Sequence, residues 1–157
     1  MRIVFLQTGR TTEKYIVEGV EIFSTRIKKY SGFEIITVPD IKNTRNTSGS
    51  EQKFREGKKI LQLIRKDDYI ILLDERGREF NSFEFAAWFE KCLMLPKKRI
   101  VFITGGPWGF SDEVYAAADF MLALSRLTLP HQMVRLLFLE QLYRAFTIMR
   151  GESYHHE

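Results

Sequence analysis

The chain has 157 residues, of which 45% are hydrophobic and 28% are charged. This length fits one domain, residues 1–157, and the composition excludes a disordered, collagen-like or coiled-coil protein. The single cysteine, Cys92, excludes a disulfide framework and a cysteine-rich zinc site, and it suggests a reducing compartment. No apolar run is long enough for a signal peptide or a membrane span, so we expect a soluble cytoplasmic domain with no metal and no membrane partner.

The net charge of +4 conceals a strongly basic segment. Residues 26–66 carry eleven Lys and Arg against four Asp and Glu, a net charge of +7, whereas residues 67–90 carry a net charge of −5. Two interpretations explain such a segment equally well. One is a solvated helix face. The other is a surface for nucleic-acid phosphates, which Lys and Arg bind by releasing counterions. Charge alone leaves both interpretations open.

The apolar pattern predicts strands that alternate with helices. The predicted elements are, in chain order, a strand over 2–8, a helix capped by Thr11 or Thr12 and stopped by Ser31-Gly32, a strand over 33–38, a loop over 40–50, a helix over 51–66, a strand over 69–73 that residues 74–77 end, a helix over 82–93, a strand over 99–103, a short helix from Ser111, a strand over 120–124 and a helix over 131–149. This alternation predicts an α/β three-layer sandwich with a mainly parallel sheet.

The last predicted helix, 131–149, is apolar around most of its circumference. A helix of this kind must bury more than one face. In a domain this small, a subunit interface is the most economical cover for the second face. We therefore predict a homodimer through the C-terminal helix.

Two loops follow predicted strands at the edge where open α/β sheets bind ligands. The glycine loop, 104–109, lacks the spacing of a dinucleotide fingerprint and the Lys-Ser/Thr of a phosphate loop, so NAD and ATP are poor candidates. A plain tight turn explains this loop equally well. The loop over 125–131 is either an ordinary connection or a second wall of the same cleft. Taken alone, His131 is better explained as a residue near a helix start than as a ligand contact.

The tail over 150–157 holds two of the three histidines. An inert terminus is the default expectation for such a tail, and two histidines do not make a metal site. The alternative is an RNA contact, in which an aromatic ring stacks on a base and the imidazoles and Arg150 donate hydrogen bonds.

Four stretches taken together resemble the ribosomal RNA large subunit methyltransferase H family, a minimal member of the SPOUT class. They are LDERG at 73–77, ITGGPWG at 103–109, LSRLTLPH at 124–131, and EQLYRAF at 140–146 with the tail RGESYH at 150–155. The likeness runs over essentially the whole chain. One departure is Trp108 in the glycine loop, where smaller or polar residues are common.

The resemblance implies an α/β domain with a trefoil knot near its C-terminus. It implies S-adenosylmethionine bound in a bent form between the knot loops, and a homodimer that methylates N3 of a pseudouridine in a stem-loop of 23S ribosomal RNA at the subunit interface of the assembled ribosome. By matching positions, the implied cofactor contacts are Leu73, Gly105, Leu124, Ser125, Arg126, Leu127, Thr128 and Leu129. The positions implied in substrate handling are His131, Arg144, Tyr154 and His155, with the tail completing the partner's site.

Methyl transfer to an imide nitrogen requires alignment of donor and acceptor and loss of the imide proton. Under the resemblance, Arg144 stabilises the imide anion and either His155 or His131 receives the proton. Two other functions compete with this one. The first is a non-catalytic RNA- or ribosome-binding module that kept the fold, and the second is a small-molecule enzyme that uses the glycine loop for a nucleotide.

Overall fold

The computed structural model describes residues 1–42 and 45–156. Within these residues strands and helices alternate along the chain. The elements are β1 Arg2–Thr8, α1 Lys14–Ile27, β2 Gly32–Val38, α2 Gly49–Leu63, β3 Asp68–Arg78, α3 Ser82–Leu93, β4 Arg99–Thr104, α4 Asp112–Ala117, β5 Phe120–Leu122 and α5 His131–Met149.

The strands form one sheet in the order β2-β1-β4-β3-β5, and every recorded pairing is parallel. Helices α1, α3 and α5 bury apolar side chains against one face of the sheet, and α2 and α4 bury theirs against the other. The predicted three-layer sandwich with a parallel sheet is confirmed. The trefoil knot stays a prediction.

Contacts between phenylalanine rings connect α5 to the centre of the sheet. The Phe138 ring lies 5.2 Å from the Phe5 ring and 4.6 Å from the Phe102 ring, and all three side chains are fully buried. Burying a phenylalanine contributes about 1.5–3 kcal/mol relative to leaving it exposed. This contact anchors the middle of α5 on the central strands β1 and β4. Cys92 is also buried, and burial raises the pKa of its thiol to about 11.

The predicted caps of α1 are wrong. The helix begins at Lys14 after Glu13, which makes no side-chain capping bond. The hydroxyl of Thr11 instead accepts a hydrogen bond from Arg135, and the backbone N–H of Thr12 donates to Gln132. Both threonines are therefore engaged by α5, a contact more than a hundred residues away in sequence. The helix also ends at Ile27, before the predicted stop.

Strand β3 runs further than predicted. Residues 74–77 were expected to end it, yet the strand continues to Arg78, with a register shift in its pairing to β5 between Leu73 and Arg78. Gly77 permits this path, because a Cβ there would lie 2.6 Å from the backbone carbon of Met121. Residues 74–77 therefore lie between the two pairings of β3 with β5, at the carboxyl edge of the sheet.

The segment between β2 and α2 was predicted as a loop over 40–50. Its residues Asn43 and Thr44 lie outside the described residues, as does Glu157 of the tail. Helix α2 begins two residues earlier than expected, at Gly49, because the Ser48 side chain accepts a hydrogen bond from the backbone N–H of Glu51. Among the described residues, no helix is long and apolar enough to cross a membrane.

Candidate active site

A pocket with about 400 Å³ of internal space lies at the carboxyl edge of the sheet. Three segments wall it: the end of β3, the glycine loop after β4, and the loop between β5 and α5. Its lining comprises Leu73, Asp74, Glu75, Arg76, Thr104, Gly105, Gly106, Pro107, Trp108, Gly109, Phe110, Tyr115, Leu122, Leu124, Ser125, Leu127, Thr128, Leu129, His131 and Val134. A pocket of this size accommodates a small organic ligand.

Most of the cofactor contacts implied by the resemblance line this pocket. They are Leu73, Gly105, Leu124, Ser125, Leu127, Thr128 and Leu129. Arg126 lies outside the lining. Its side chain is 85% exposed, and its Nε is 3.8 Å from a carboxylate oxygen of Glu79.

The glycine loop turns sharply at its end. Gly109 has a φ of +79°, a conformation that glycine adopts without a steric penalty, and its N–H donates to the carbonyl of Gly106 at 3.1 Å. Trp108 projects from this turn towards α2. A Cβ on Gly49 would lie 2.6 Å from Cε3 of the indole. The tryptophan thus joins the glycine loop to the first residue of α2.

A hydrogen-bonded group of Asp74, Arg76 and Tyr115 forms one side of the pocket. Tyr115 donates from its hydroxyl to Oδ2 of Asp74, and Arg76 donates to the same hydroxyl. Burial acts to raise the pKa of Asp74, but the bonds from Tyr115 and Arg76 outweigh it and hold that pKa below its usual value. The Asp74 carboxylate therefore stays ionised beside the pocket, where it is paired with the Arg76 guanidinium.

Sequence reasoning missed this group. Asp74 and Arg76 were interpreted as the end of a strand and as part of the LDERG stretch of the resemblance, and neither was given a role in the site, although polar residues at the carboxyl end of a buried parallel strand are a usual sign of a site. Tyr115 gave no comparable signal, because it lies 41 residues from Asp74 and meets it only through the fold.

His131, at the start of α5, lines the pocket. Burial, followed by the positive charge of Arg135, lowers its pKa below the ordinary histidine value. Arg135 is fully buried and donates hydrogen bonds to the Thr8 carbonyl and the Thr11 hydroxyl. The imidazole is therefore neutral near pH 7 and has a lone pair with which to accept a proton.

The other three residues implied in substrate handling form a separate cluster near the C-terminus, the tail cluster. Arg144 lies 3.0 Å from Nδ1 of His155, and its guanidinium also bonds to Glu140. Tyr154 donates to Glu140 at 3.0 Å, and its ring lies 4.9 Å from the Arg144 guanidinium. Because a guanidinium only donates, Nδ1 of His155 is the acceptor and Nε2 carries the ring proton.

Within one chain the tail cluster and His131 are far apart. His131 and Arg144 both lie on α5, thirteen residues from each other. At about 1.5 Å of rise per residue, this separates them by about 20 Å. One protomer therefore brings His131 to its own pocket but leaves Arg144, Tyr154 and His155 at the other end of the helix.

Among the described residues, no group of three or more His, Cys, Asp or Glu side chains is placed to hold a metal ion. His155 is instead engaged by Arg144 and by the Phe83 ring, whose centroid lies 5.0 Å away.

A family model described as a predicted SPOUT methyltransferase matches residues 1–155. The chain belongs to the SPOUT methyltransferase family. It is 46% identical over 157 residues to the ribosomal RNA large subunit methyltransferase H of Parabacteroides distasonis, covering 100% of both chains. It is 45% identical to the protein of the same name from Phocaeicola vulgatus, again over 100% of both chains.

Among solved structures, the chain is similar to the SpoU methyltransferase AviRb from Streptomyces viridochromogenes in complex with the cofactor AdoMet. The TM-score is 0.46 and the identity is 12%, over 96% of this chain and 61% of that chain.

The family model covers all three pocket walls and the tail cluster. The pocket and the tail cluster therefore both lie within the SPOUT domain.

Proposed function

We propose that this SPOUT protein is a cytoplasmic, S-adenosylmethionine-dependent methyltransferase that methylates N3 of a pseudouridine in 23S ribosomal RNA. The observation that carries the proposal is the pocket at the carboxyl edge, walled by the segments on which the sequence resemblance rests. The names and full-length identity of the relatives support large-subunit ribosomal RNA as the substrate. The pseudouridine and its N3 atom come from the resemblance.

The residues of the pocket fit S-adenosylmethionine. Leucines from β3, β5 and the loop before α5 offer an apolar surface suited to an adenine ring, and about 400 Å³ is within the range of small-ligand sites. Gly105, on the opposite wall, presents no side chain to the pocket. When bound, the cofactor supplies a methyl group activated by a positively charged sulfonium.

The separation of His131 from the tail cluster supports a homodimer with a shared site. Along α5, Met133, Leu137 and Ile148 are not fully buried by their own chain, and Leu137 is 39% exposed. Pairing of two α5 helices would cover this apolar face. In the proposed dimer, the tail cluster of one protomer lies beside the pocket of its partner.

The chain's own residues suit proton removal and charge stabilisation. His131 is neutral at the pocket wall and is the group that we assign to accept the N3 proton. Nδ1 of His155 already accepts from Arg144, which makes His155 the weaker candidate for the base. Arg144 is assigned to stabilise the imide anion, and Glu140 and Tyr154 hold its guanidinium in place.

The exposed side of α2 supports RNA binding next to the pocket. Phe54, Arg55 and Lys58 are exposed there, and the Lys58 ammonium lies 4.6 Å from the centre of the Phe54 ring. Trp108, 56% exposed, lies between this side of α2 and the pocket. Basic side chains with exposed aromatic rings suit phosphates and unstacked bases.

The proposal is tested with purified protein, labelled S-adenosylmethionine and three substrates: assembled ribosomes, free ribosomal RNA, and ribosomes that lack the pseudouridine. We expect saturable cofactor binding by calorimetry and methyl transfer only to ribosomes that carry the pseudouridine, with RNA binding that weakens as salt rises. Cofactor binding without any methyl transfer would overturn the substrate assignment. No saturable heat would favour a non-catalytic binding module.

A further inference from the structure

A buried carboxyl group lies behind the glycine loop, outside the pocket lining. Glu56 is on α2, faces the sheet and is 4% exposed, although α2 is otherwise rich in exposed charged residues. Its neighbour Gly57 is also buried, and a Cβ at Gly57 would lie 2.3 Å from the hydroxyl oxygen of Ser111. Helix α2 therefore approaches the segment after β4 closely at these two positions.

The Glu56 carboxyl group is in direct contact with the glycine loop. A Cβ added to Gly106 would lie 2.8 Å from Oε2 and 3.1 Å from Oε1 of Glu56. The absence of a side chain at Gly106 is what leaves room for the carboxyl group. The φ of Gly106 is not in the left-handed region, so the requirement for glycine here comes from this contact rather than from the backbone.

Within the described residues, the Glu56 carboxyl group is only weakly hydrogen-bonded. The hydrogen bond that it accepts there comes from Nε2 of Gln52 at 3.4 Å, a long distance for such a bond. Of the nearby charged groups, Asp40 raises the pKa of this carboxyl group and Lys59 lowers it. A buried carboxyl group is costly unless it is well paired, and stability alone would favour an apolar side chain at this position.

We propose that Glu56 is a positioning residue, whose buried carboxyl group supports Gly106 from behind and so fixes the glycine loop in the shape that walls the pocket. The importance of that shape for S-adenosylmethionine rests on the proposed function. Glu56 itself does not line the pocket, so it acts on a bound ligand only through the loop.

The proposal predicts energetic coupling between positions 56 and 106. Glu56→Ala removes the support, and Gly106→Ala pushes a methyl group into the carboxyl oxygens. We expect each single variant to weaken S-adenosylmethionine binding by about tenfold, and the double variant to be no weaker than either, because the added methyl group then occupies vacated space. Glu56→Gln keeps the shape and should restore affinity to within about threefold of the wild type.

Amide hydrogen exchange of residues 104–110 in the absence of ligand provides a readout independent of the cofactor. Glu56→Ala should speed exchange in this loop, and Glu56→Gln should not. Gly105→Ala is the matched control, since its Cβ would meet Gly109 and Phe110 rather than Glu56. Its effects should add to those of Glu56→Ala.

The outcomes separate the two proposals. Unchanged loop exchange in Glu56→Ala, or additive effects of the 56 and 106 substitutions on it, would overturn the role of Glu56. Coupled loop exchange in a protein that gives no saturable heat with S-adenosylmethionine would support the role of Glu56 and overturn the proposed function.

Discussion

Thr128 donates a hydrogen bond from its Oγ1 to Oε2 of Glu75 at 3.1 Å, and this bond joins two walls of the pocket. Glu75 belongs to the polar end of β3, and Thr128 belongs to the loop between β5 and α5. Both residues line the pocket, so a ligand between these segments is enclosed only while they stay together.

Thr128→Val tests the importance of this link. Valine keeps the shape of threonine but cannot donate, and a hydrogen bond of this kind contributes about 0.5–1.5 kcal/mol. We expect S-adenosylmethionine affinity, measured by calorimetry, to fall by about three- to tenfold with little change in melting temperature. Thr25→Val, at an exposed position on α1, is the control. Equal affinity in wild type and Thr128→Val would show that the loops close without this bond.

Arg144 and His155 are tested by separate substitutions with two measurements. In Arg144→Gln and in His155→Gln we expect turnover to fall by at least about tenfold, because each loses a group that we propose contacts the reacting base, while cofactor affinity in the pocket stays within about twofold. Arg2→Gln is the control, since Arg2 lies at the start of β1 and its Nε is 3.3 Å from a carboxylate oxygen of Glu34. Wild-type turnover in either variant would remove that residue from the mechanism.

The homodimer is tested at Leu137, the most exposed apolar residue of α5. Leu137→Glu places a charge in the proposed interface, where its desolvation is unfavourable. We expect sedimentation equilibrium to give a dimer for the wild type and a monomer for the variant, and methyl transfer to be lost with the dimer. Met94→Glu, 72% exposed just after α3, should stay dimeric. A monomeric wild-type protein with full activity would contradict a site shared between protomers.

The pH dependence of stability tests the burial of Glu56. Burial, with a contribution from Asp40, raises the pKa of this carboxyl group against the opposing effects of Gln52 and Lys59. The folded protein therefore binds the Glu56 proton more tightly than the unfolded chain does. The stability that the protonated form contributes is fully present below the pKa of this group in the unfolded chain, about 4.3. It is lost as pH rises through the pKa of the folded state.

Glu56→Gln removes this titration. We expect urea unfolding between pH 4 and 8 to show a free energy of unfolding for the glutamine variant that increases relative to the wild type as pH rises from about 4. Glu18→Gln, at an exposed position on α1, controls for the change of net charge. A difference between wild type and Glu56→Gln that is constant with pH would contradict the raised pKa.

The sequence predicted the elements whose apolar pattern is strong and local. Helices α3 and α5 run over the predicted residues, because the apolar residues of each repeat at helical spacing over its whole length. The start of α1 was mispredicted, since the hydroxyl of Thr11 is taken by Arg135 from the other end of the chain. Caps of this kind depend on tertiary contacts that a local pattern does not contain.

The sequence likewise predicted only part of the candidate site. The glycine loop and the loop before α5 were found from their position after strands, and the tail residues came from the resemblance. The roles of Tyr115 and Glu56 gave no signal in the sequence. Glu56 looks like one more charge on a basic helix, and only the packing of Gly57 and Gly106 shows that it is buried.

The proposed activity is the transfer of a methyl group to N3 of one pseudouridine in large-subunit ribosomal RNA. Its most direct test is mass spectrometry of 23S RNA fragments from ribosomes of cells with and without the gene. We expect one stem-loop fragment to lack a single methyl group in cells without the protein, and purified protein with S-adenosylmethionine to restore it on their ribosomes. An identical modification pattern in the two cell types would show that the protein does not carry out this methylation.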